Sequence, residues 1–89
     1  MVINLMQDFK EKVLKVVAKI PKGKTMTYQE VARRAGNSKA YRAAGSILAK
    51  NFNPKIPCHR VIKSDGSFGS YNRGIKNKIK LLRKEGAIR

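Results

Sequence analysis

Helix start and stop signals between Thr27 and Ser38 constrain the fold of this chain more than any other feature. Thr27 with Glu30 three residues later fits a capping box, in which two side chains satisfy backbone N–H groups at a helix start. Gly36 is typical of the left-handed residue that ends a helix, and Ser38 can cap the next one. The sequence therefore predicts a short helix that begins at Thr27 and another over about residues 39–50, joined by a tight turn.

Two short helices joined in this way predict a helix-turn-helix motif, although an ordinary antiparallel helix pair has the same signature. The second helix is rich in alanine, so its low surface would let its backbone come close to a partner. Arg42 stands above that surface as the one long cationic side chain before Lys50. Alanine is also the best helix former, which accounts for the composition without any partner.

The rest of the chain predicts a mainly α fold. Apolar residues at three- and four-residue steps predict an amphipathic helix over about residues 5–20. Residues 61–62 fit a short strand, residues 64–67 a turn, and residues 75–84 a last helix that Gly86 ends. We expect a small winged helix-turn-helix-like domain of four to five helices, with a short hairpin or wing near the strand.

The chain carries a large excess of positive charge. It has 21 lysines and arginines against 5 acids, a formal net charge of +16. Such an excess predicts a polyanionic partner, usually nucleic acid, although a solvated basic surface has the same composition. No apolar run is long enough to span a membrane and no helix pairs a basic face with a wide exposed apolar one, so no membrane partner is expected. A length of 89 residues predicts one domain, residues 1–89, and a lone cysteine without a signal-peptide pattern predicts a reducing, cytoplasmic or nuclear setting.

Cys58 and His59, the single cysteine and the single histidine of the chain, lie side by side. A neighbouring base and the positive charge of Arg60 and the lysines would favour the thiolate, the nucleophilic form of cysteine. Neighbours in an extended segment point to opposite sides, so a turn or a bridging water is needed to couple the two side chains. The alternative is a small buried hydrophobic residue, as many lone cysteines are. One cysteine and one histidine are too few ligands for zinc.

Several segments carry a resemblance to a known family. They are the motif Pro-Cys-His-Arg-Val-Ile at residues 57–62 and, in the same order as in the family, residues 27–32, 35–40, 42–45, 69–74 and 84–86. Over essentially the whole chain, the sequence resembles the O6-alkylguanine-DNA alkyltransferases, also called methylated-DNA–protein-cysteine methyltransferases. The resemblance implies a DNA repair protein that rotates O6-alkylguanine out of double-stranded DNA and transfers the alkyl group irreversibly to its own cysteine, without a cofactor.

The resemblance also implies roles for catalytic residues. Cys58 would be the nucleophile, His59 its base acting through a water, and Glu85 the group that orients His59. Tyr28 would aid rotation of the nucleotide and donate a proton to the guanine leaving group. Asn51 would tie the recognition helix to the cysteine turn.

Further residues would bind DNA or the rotated base. Arg42 resembles the arginine finger that enters the base stack, and the small residues beside it, Ala43, Gly45 and Ser46, would contact the minor groove. The expected base pocket contains Val61, Tyr71, Asn72 and Leu48. The carbonyl groups of Cys58 and Val61 would accept hydrogen bonds from the guanine amino group, and the backbone N–H of Asn72 would donate to O6. The implied protein is a monomer.

The chain departs from the family pattern in ways that leave alternatives open. Family members usually carry an N-terminal domain before this region, whereas this chain begins at the first helix of the DNA-binding half, as a natural minimal form or a fragment. Tyr41 stands where they often have a small residue. A non-catalytic alkyltransferase-like protein, which grips the lesion and recruits other repair factors, resembles the chain closely but often has tryptophan in place of the cysteine. A plain basic helix-turn-helix protein with an inert thiol is the remaining alternative.

Overall fold

A computed structural model describes residues 5–53, 55–69 and 73–88. Its α-helices are α1 (Leu5–Ala18), α2 (Tyr28–Arg34), α3 (Tyr41–Ala49) and α4 (Ile75–Lys84). Short 3₁₀ helices cover Ser38–Ala40 and Cys58–Arg60, and two-residue strands cover β1 (Met26–Thr27) and β2 (Val61–Ile62). The described part of the chain is mainly helical, as the sequence predicts.

The core lies where α1, α2 and α3 meet. Val13 and Val17 of α1 and Val31 of α2 are fully buried, because apolar residues three to four positions apart share one helix face. Burying each such side chain contributes roughly 1.5–3 kcal/mol. Leu48 of α3 and Cys58 belong to the same buried cluster, so the segment that carries the cysteine rests directly on the helical core.

Local capping groups set the ends of α2. The Oγ1 of Thr27 accepts a hydrogen bond from the backbone N–H of Glu30 at 3.1 Å, as the predicted capping box requires of the threonine. The carboxylate of Glu30 binds the guanidinium groups of Arg33 and Arg34 on the exposed face. Gly36 follows the helix with a φ of 106°, the left-handed conformation that a glycine adopts at low cost.

The turn between α2 and α3 differs from the predicted one in its capping residue. The sequence predicts Ser38 as the cap, but the Oδ1 of Asn37 accepts from the backbone N–H of Lys39 at 3.1 Å. The first residues of the predicted helix form the 3₁₀ helix Ser38–Ala40, and α3 begins at Tyr41. The helix-turn-helix arrangement is therefore present, with a tighter entry to the second helix.

The two strands pair in parallel, with Met26 opposite Val61 and Thr27 opposite Ile62. The predicted hairpin is therefore wrong within the described residues, because the partner of β2 comes from the segment before α2. The predicted turn after β2 is present, and the backbone N–H of Lys63 donates to the carbonyl of Ser67 at 2.9 Å. The parallel pair places the start of α2 beside the end of the cysteine segment.

Helix α4 has the predicted bounds and packs against the Cys58–Arg60 turn. Its buried residues are Lys78 and Leu82. Gly86 ends it with a φ of 78°, and the N–H of Ala87 donates to the Leu82 carbonyl at 2.9 Å. None of the described helices is long and apolar enough to cross a membrane.

Candidate active site

Cys58 begins a 3₁₀ turn that leads into β2. The turn is held by hydrogen bonds from the Cys58 N–H to the Ile56 carbonyl at 2.8 Å and from the Arg60 N–H to the Pro57 carbonyl at 3.0 Å. A 3₁₀ helix has three residues per turn, so adjacent side chains are rotated by about 120° rather than pointing to opposite sides. The turn needed to bring Cys58 and His59 to one region is therefore present.

The cysteine is buried but lies on the wall of an open cleft. Cys58 is 8% exposed, and the cleft has a volume of about 370 Å³. We call it the thiol cleft; its lining includes Asn51, Cys58, His59, Arg60, Arg73 and Glu85. The volume falls within the roughly 300–1,000 Å³ typical of small-molecule sites, so a ligand in the cleft would lie against the cysteine.

The electrostatic surroundings of Cys58 act in opposite directions. Burial raises the pKa of the thiol, and this effect outweighs a hydrogen bond from the Asn51 side chain and the positive charges of Lys78 and Arg73, which lower it. The sequence-based expectation of a thiolate is therefore wrong in its net direction, because desolvation favours the neutral thiol. A base has to remove the proton before the sulfur can act as a nucleophile.

His59 is held by Glu85 at the end of α4. The His59 Nε2 and the Glu85 Oε1 are 2.9 Å apart, and their side chains are only 12% and 10% exposed. The structure thus brings together the pair that the resemblance implies. Because an ionised carboxylate only accepts, Nε2 carries a proton and Nδ1 is the basic nitrogen of the neutral ring.

Arg60 clamps the same carboxylate. Its Nε and Nη2 donate to the two oxygens of Glu85 at 3.0 and 2.5 Å, and its Nη1 donates to the Ile20 carbonyl at 2.8 Å. The hydrogen bonds from Arg60 and then His59 hold the pKa of Glu85 at about 2, against the opposing effect of burial. The expectation that Arg60 favours the Cys58 thiolate is wrong, because its charge is paired with Glu85 and the cations that lower the pKa of Cys58 are Lys78 and Arg73.

Lys78 is a candidate that the sequence analysis missed. Its side chain is fully buried, and its Nζ donates to the Val61 carbonyl at 2.5 Å and contacts the Tyr28 hydroxyl at 3.4 Å. The signal for it is helical spacing: Lys78, Leu82 and Glu85 lie four and three residues apart and so share one face of α4. That face points at the cysteine turn and at the start of α2.

A second cleft of about 550 Å³ lies along α3. We call it the α3 groove; it is lined by Tyr28, Gln29, Tyr41, Arg42, Gly45, Lys63, Ser64 and Asp65. Ala43 is half-buried and Ser46 is exposed on the same helix. Of the predicted DNA-contacting residues of α3, Arg42 and Gly45 line this groove, next to the turn that follows β2, whereas Ala43 and Ser46 are not among its lining residues.

Tyr28 lies between the α3 groove and the buried Lys78. Its ring lines the α3 groove, and its hydroxyl lies beside Lys78. Burial, and then the charge of Cys58, raises the pKa of this hydroxyl, so it stays a proton donor at neutral pH. The protonated hydroxyl is the form that the implied donation to the guanine leaving group requires, and that role of Tyr28 stays a prediction.

The remaining predicted residues are Asn51, Val61, Leu48, Tyr71 and Asn72. Asn51 follows α3 and lines the thiol cleft together with Cys58, and its side chain lowers the pKa of the thiol, at the place the resemblance implies. Val61 keeps its side chain in the core, so its carbonyl is the group available to a ligand. Leu48 faces the core and is 4% exposed, and its assignment to the base pocket stays a prediction. Tyr71 and Asn72 lie outside the described residues. Within the described segments, no group of His, Cys, Asp or Glu side chains could hold a metal.

A family model matches residues 8–87 of the chain. Its description is 6-O-methylguanine DNA methyltransferase, DNA binding domain. The chain belongs to this family. A relative from Methanothermobacter thermautotrophicus, named methylated-DNA–protein-cysteine methyltransferase, is 51% identical over 79 residues, which are 89% of this chain and 44% of the relative. The chain thus spans about half the length of the curated relatives it matches.

Solved structures of the family resemble the described fold. The Mycobacterium tuberculosis OGT in complex with DNA matches with a TM-score of 0.83 and 39% identity, over 88% of this chain and 48% of that one. The Schizosaccharomyces pombe Atl1 in complex with damaged DNA containing O6-carboxymethylguanine matches with a TM-score of 0.77 and 34% identity, over 97% of this chain and 80% of that one. Both are complexes with DNA, and in the second the DNA contains the lesion.

Proposed function

We propose that this chain repairs O6-alkylguanine in double-stranded DNA by accepting the alkyl group on Cys58. The observation that carries the proposal is that Cys58 and His59 both line the thiol cleft. The ring of His59 is held there by Glu85, with 2.9 Å between Nε2 and Oε1. A thiol, a base and a group that orients the base are the parts that nucleophilic catalysis needs. Membership in a family named for methyl transfer from guanine O6 supports the same chemistry.

Residues of the site account for each proton that moves and each bond that forms or breaks in the proposed transfer. The Cys58 proton passes to Nδ1 of His59 through a bridging water, and the sulfur forms a bond with the alkyl carbon. The bond from that carbon to guanine O6 breaks, and its electron pair stays on the guanine. Tyr28 supplies a proton to the departing guanine. The product is a thioether on Cys58, so each molecule acts once.

The α3 groove supports the delivery of the base. Guanine O6 lies inside the duplex, so the nucleotide has to rotate out before the sulfur can reach it. The small residues Ala43, Gly45 and Ser46 would let α3 approach the narrow minor groove, and Arg42 would enter the stack where the base has left. The net charge of +16 supports phosphate contacts that do not depend on sequence, and the protein would bind as a monomer.

An intact-mass measurement tests the proposal. The protein is mixed with a duplex that contains one O6-methylguanine, and the expected result is a gain of one methyl group per molecule, mapped to Cys58. Cys58→Ala and an unmodified duplex are the matched controls, and neither should give any gain. Transfer to a residue other than Cys58, or no transfer at all, would contradict the proposed reaction.

A second function is favoured by the likeness to Atl1, which covers 97% of this chain. In that case the chain would bind the lesion without removing the alkyl group. The same mixture distinguishes the two functions, because a lesion-binding protein would hold the methylated duplex more tightly than the unmodified one and show no gain in mass.

A further inference from the structure

Lys78 is a buried cation whose charge is not matched by a carboxylate in the described ion pairs. Those pairs connect the acids Asp8, Glu30 and Glu85 to other bases, and Lys78 belongs to none of them. Burial of an ammonium group disfavours its charged form. Desolvation lowers the pKa of Lys78 to about 8, with Cys58 acting in the opposite direction, so most of the group is still charged at pH 7.

The contacts of Lys78 converge on the transfer site. An ammonium group only donates, so the Val61 carbonyl and the Tyr28 oxygen are its acceptors. Lys78 thus contacts Tyr28 at the oxygen of its hydroxyl group, the group that would donate a proton in the proposed transfer. The Val61 carbonyl has a second lone pair, which remains able to accept from a bound ligand.

The charge of Lys78 also acts on the thiol. It is one of the two cations that lower the pKa of Cys58, and unlike the exposed Arg73 it is fully buried, where solvent screens it weakly. The titratable groups that face Lys78 are Tyr28 on α2 and Cys58 on the 3₁₀ turn. Both would carry negative charge if they lost a proton during transfer.

We propose that Lys78 is a positioning residue of the transfer site: its ammonium group fixes the Val61 carbonyl and the Tyr28 hydroxyl and supplies the buried positive charge that compensates the Cys58 thiolate. The role in transfer rests on the proposed function. The effect on the thiolate does not, because it concerns the free protein and can be measured without DNA.

The test is the pH profile of Cys58 alkylation by iodoacetamide, in the free protein, for Lys78→Met and Lys78→Gln. Glutamine retains a donor for the Val61 carbonyl but carries no charge, so it separates the charge from the hydrogen bond and covers the case in which the methionine variant does not fold. At pH 7 both variants should react roughly tenfold more slowly than the wild type, the effect expected when one nearby opposite charge is removed. Their profiles should move to higher pH.

Lys80→Met is the matched control, because it removes one exposed lysine from the same helix and changes the net charge equally. Its profile should follow that of the wild type. An unchanged profile in Lys78→Gln, with circular dichroism showing a folded protein, would overturn the inference. Failure of the wild type to accept a methyl group from DNA would instead overturn the proposed function and leave the thiol profile standing.

Discussion

At the scale of single residues, Cys58 combines a buried thiol with a set of groups that favour its ionised form. Burial raises its pKa, while Asn51, Lys78 and Arg73 lower it. In the proposed reaction, where each molecule acts once, this balance would protect the sulfur, because the thiolate is the form that oxidants attack and the neutral thiol persists longer. The sulfur then becomes a strong nucleophile only when a base such as His59 takes its proton.

Glu85 predicts how the fold responds to acid. Its pKa is held at about 2 in the folded protein, chiefly by Arg60, and its ordinary value is 4.5. The unfolded chain therefore binds more protons between those two pH values, and the stability that Glu85 contributes is lost as the pH falls from about 4.5 to 2. In Glu85→Gln this loss should be absent, so urea unfolding midpoints should depend less on pH across that interval than in the wild type.

Glu30→Gln is the control for that measurement. Arg33 and Arg34 also hold the pKa of Glu30 at about 2, but this carboxylate lies on the surface, where solvent and salt weaken the interaction. Glu30→Gln should retain most of the acid sensitivity of the wild type, and its small effect should vanish at high salt. If the unfolding midpoints of the two variants depended on pH to the same extent, burial of Glu85 would not explain its contribution to acid sensitivity.

At the scale of elements, the site is assembled from parts that are distant in sequence. The β1–β2 pair brings the first residue of α2 beside the cysteine turn, and α4 packs across that turn with Lys78 and Glu85 on the facing side. Tyr28 consequently lies between α3 and the loop after β2. The position of this ring depends on how closely the backbone of that loop can approach it.

Substitution of Gly69 tests that approach. A Cβ at Gly69 would lie 3.0 Å from the Cε2 and 3.1 Å from the Oη of Tyr28, so Gly69→Ala should displace the ring. Gly66→Ala is the matched control, because Gly66 also has positive φ but no atom lies within 4 Å of its Cβ position. Each variant should lose about 1–2 kcal/mol of unfolding free energy from backbone strain. Only Gly69→Ala should also slow methyl transfer severalfold, and equal transfer rates would contradict the contact with Tyr28.

Local signals in the sequence predict the helices well, and non-local contacts account for most of what they miss. The bounds of α4 and the glycine that ends α2 follow from patterns within a few residues. Strand β1 is two residues long and exists because β2 lies beside it, so no local pattern marks it. The pKa of Cys58 is raised because the thiol is buried. Neighbouring charges can be read from the sequence, but the extent of burial cannot.

At the scale of the whole molecule, basic residues far outnumber acidic ones. The chain carries 21 basic residues and 5 acids, and three of those acids are bound to bases within the described structure. Most lysines are therefore not neutralised within the protein. Such a surface attracts DNA through its phosphates whatever the sequence, as the proposed search for a rare lesion would require.

Duplex affinity should consequently fall steeply with salt. If about five phosphates are neutralised, the logarithm of the binding constant should fall with a slope near −4.5 against the logarithm of salt concentration, a loss of roughly 500-fold between 50 and 200 mM. Fluorescence anisotropy of a labelled unmodified duplex measures this slope. Cys58→Ala should keep both the slope and the affinity, because the thiol faces the thiol cleft and makes no phosphate contact in the proposed complex. A slope close to zero would mean that the charge of this chain serves some purpose other than binding DNA.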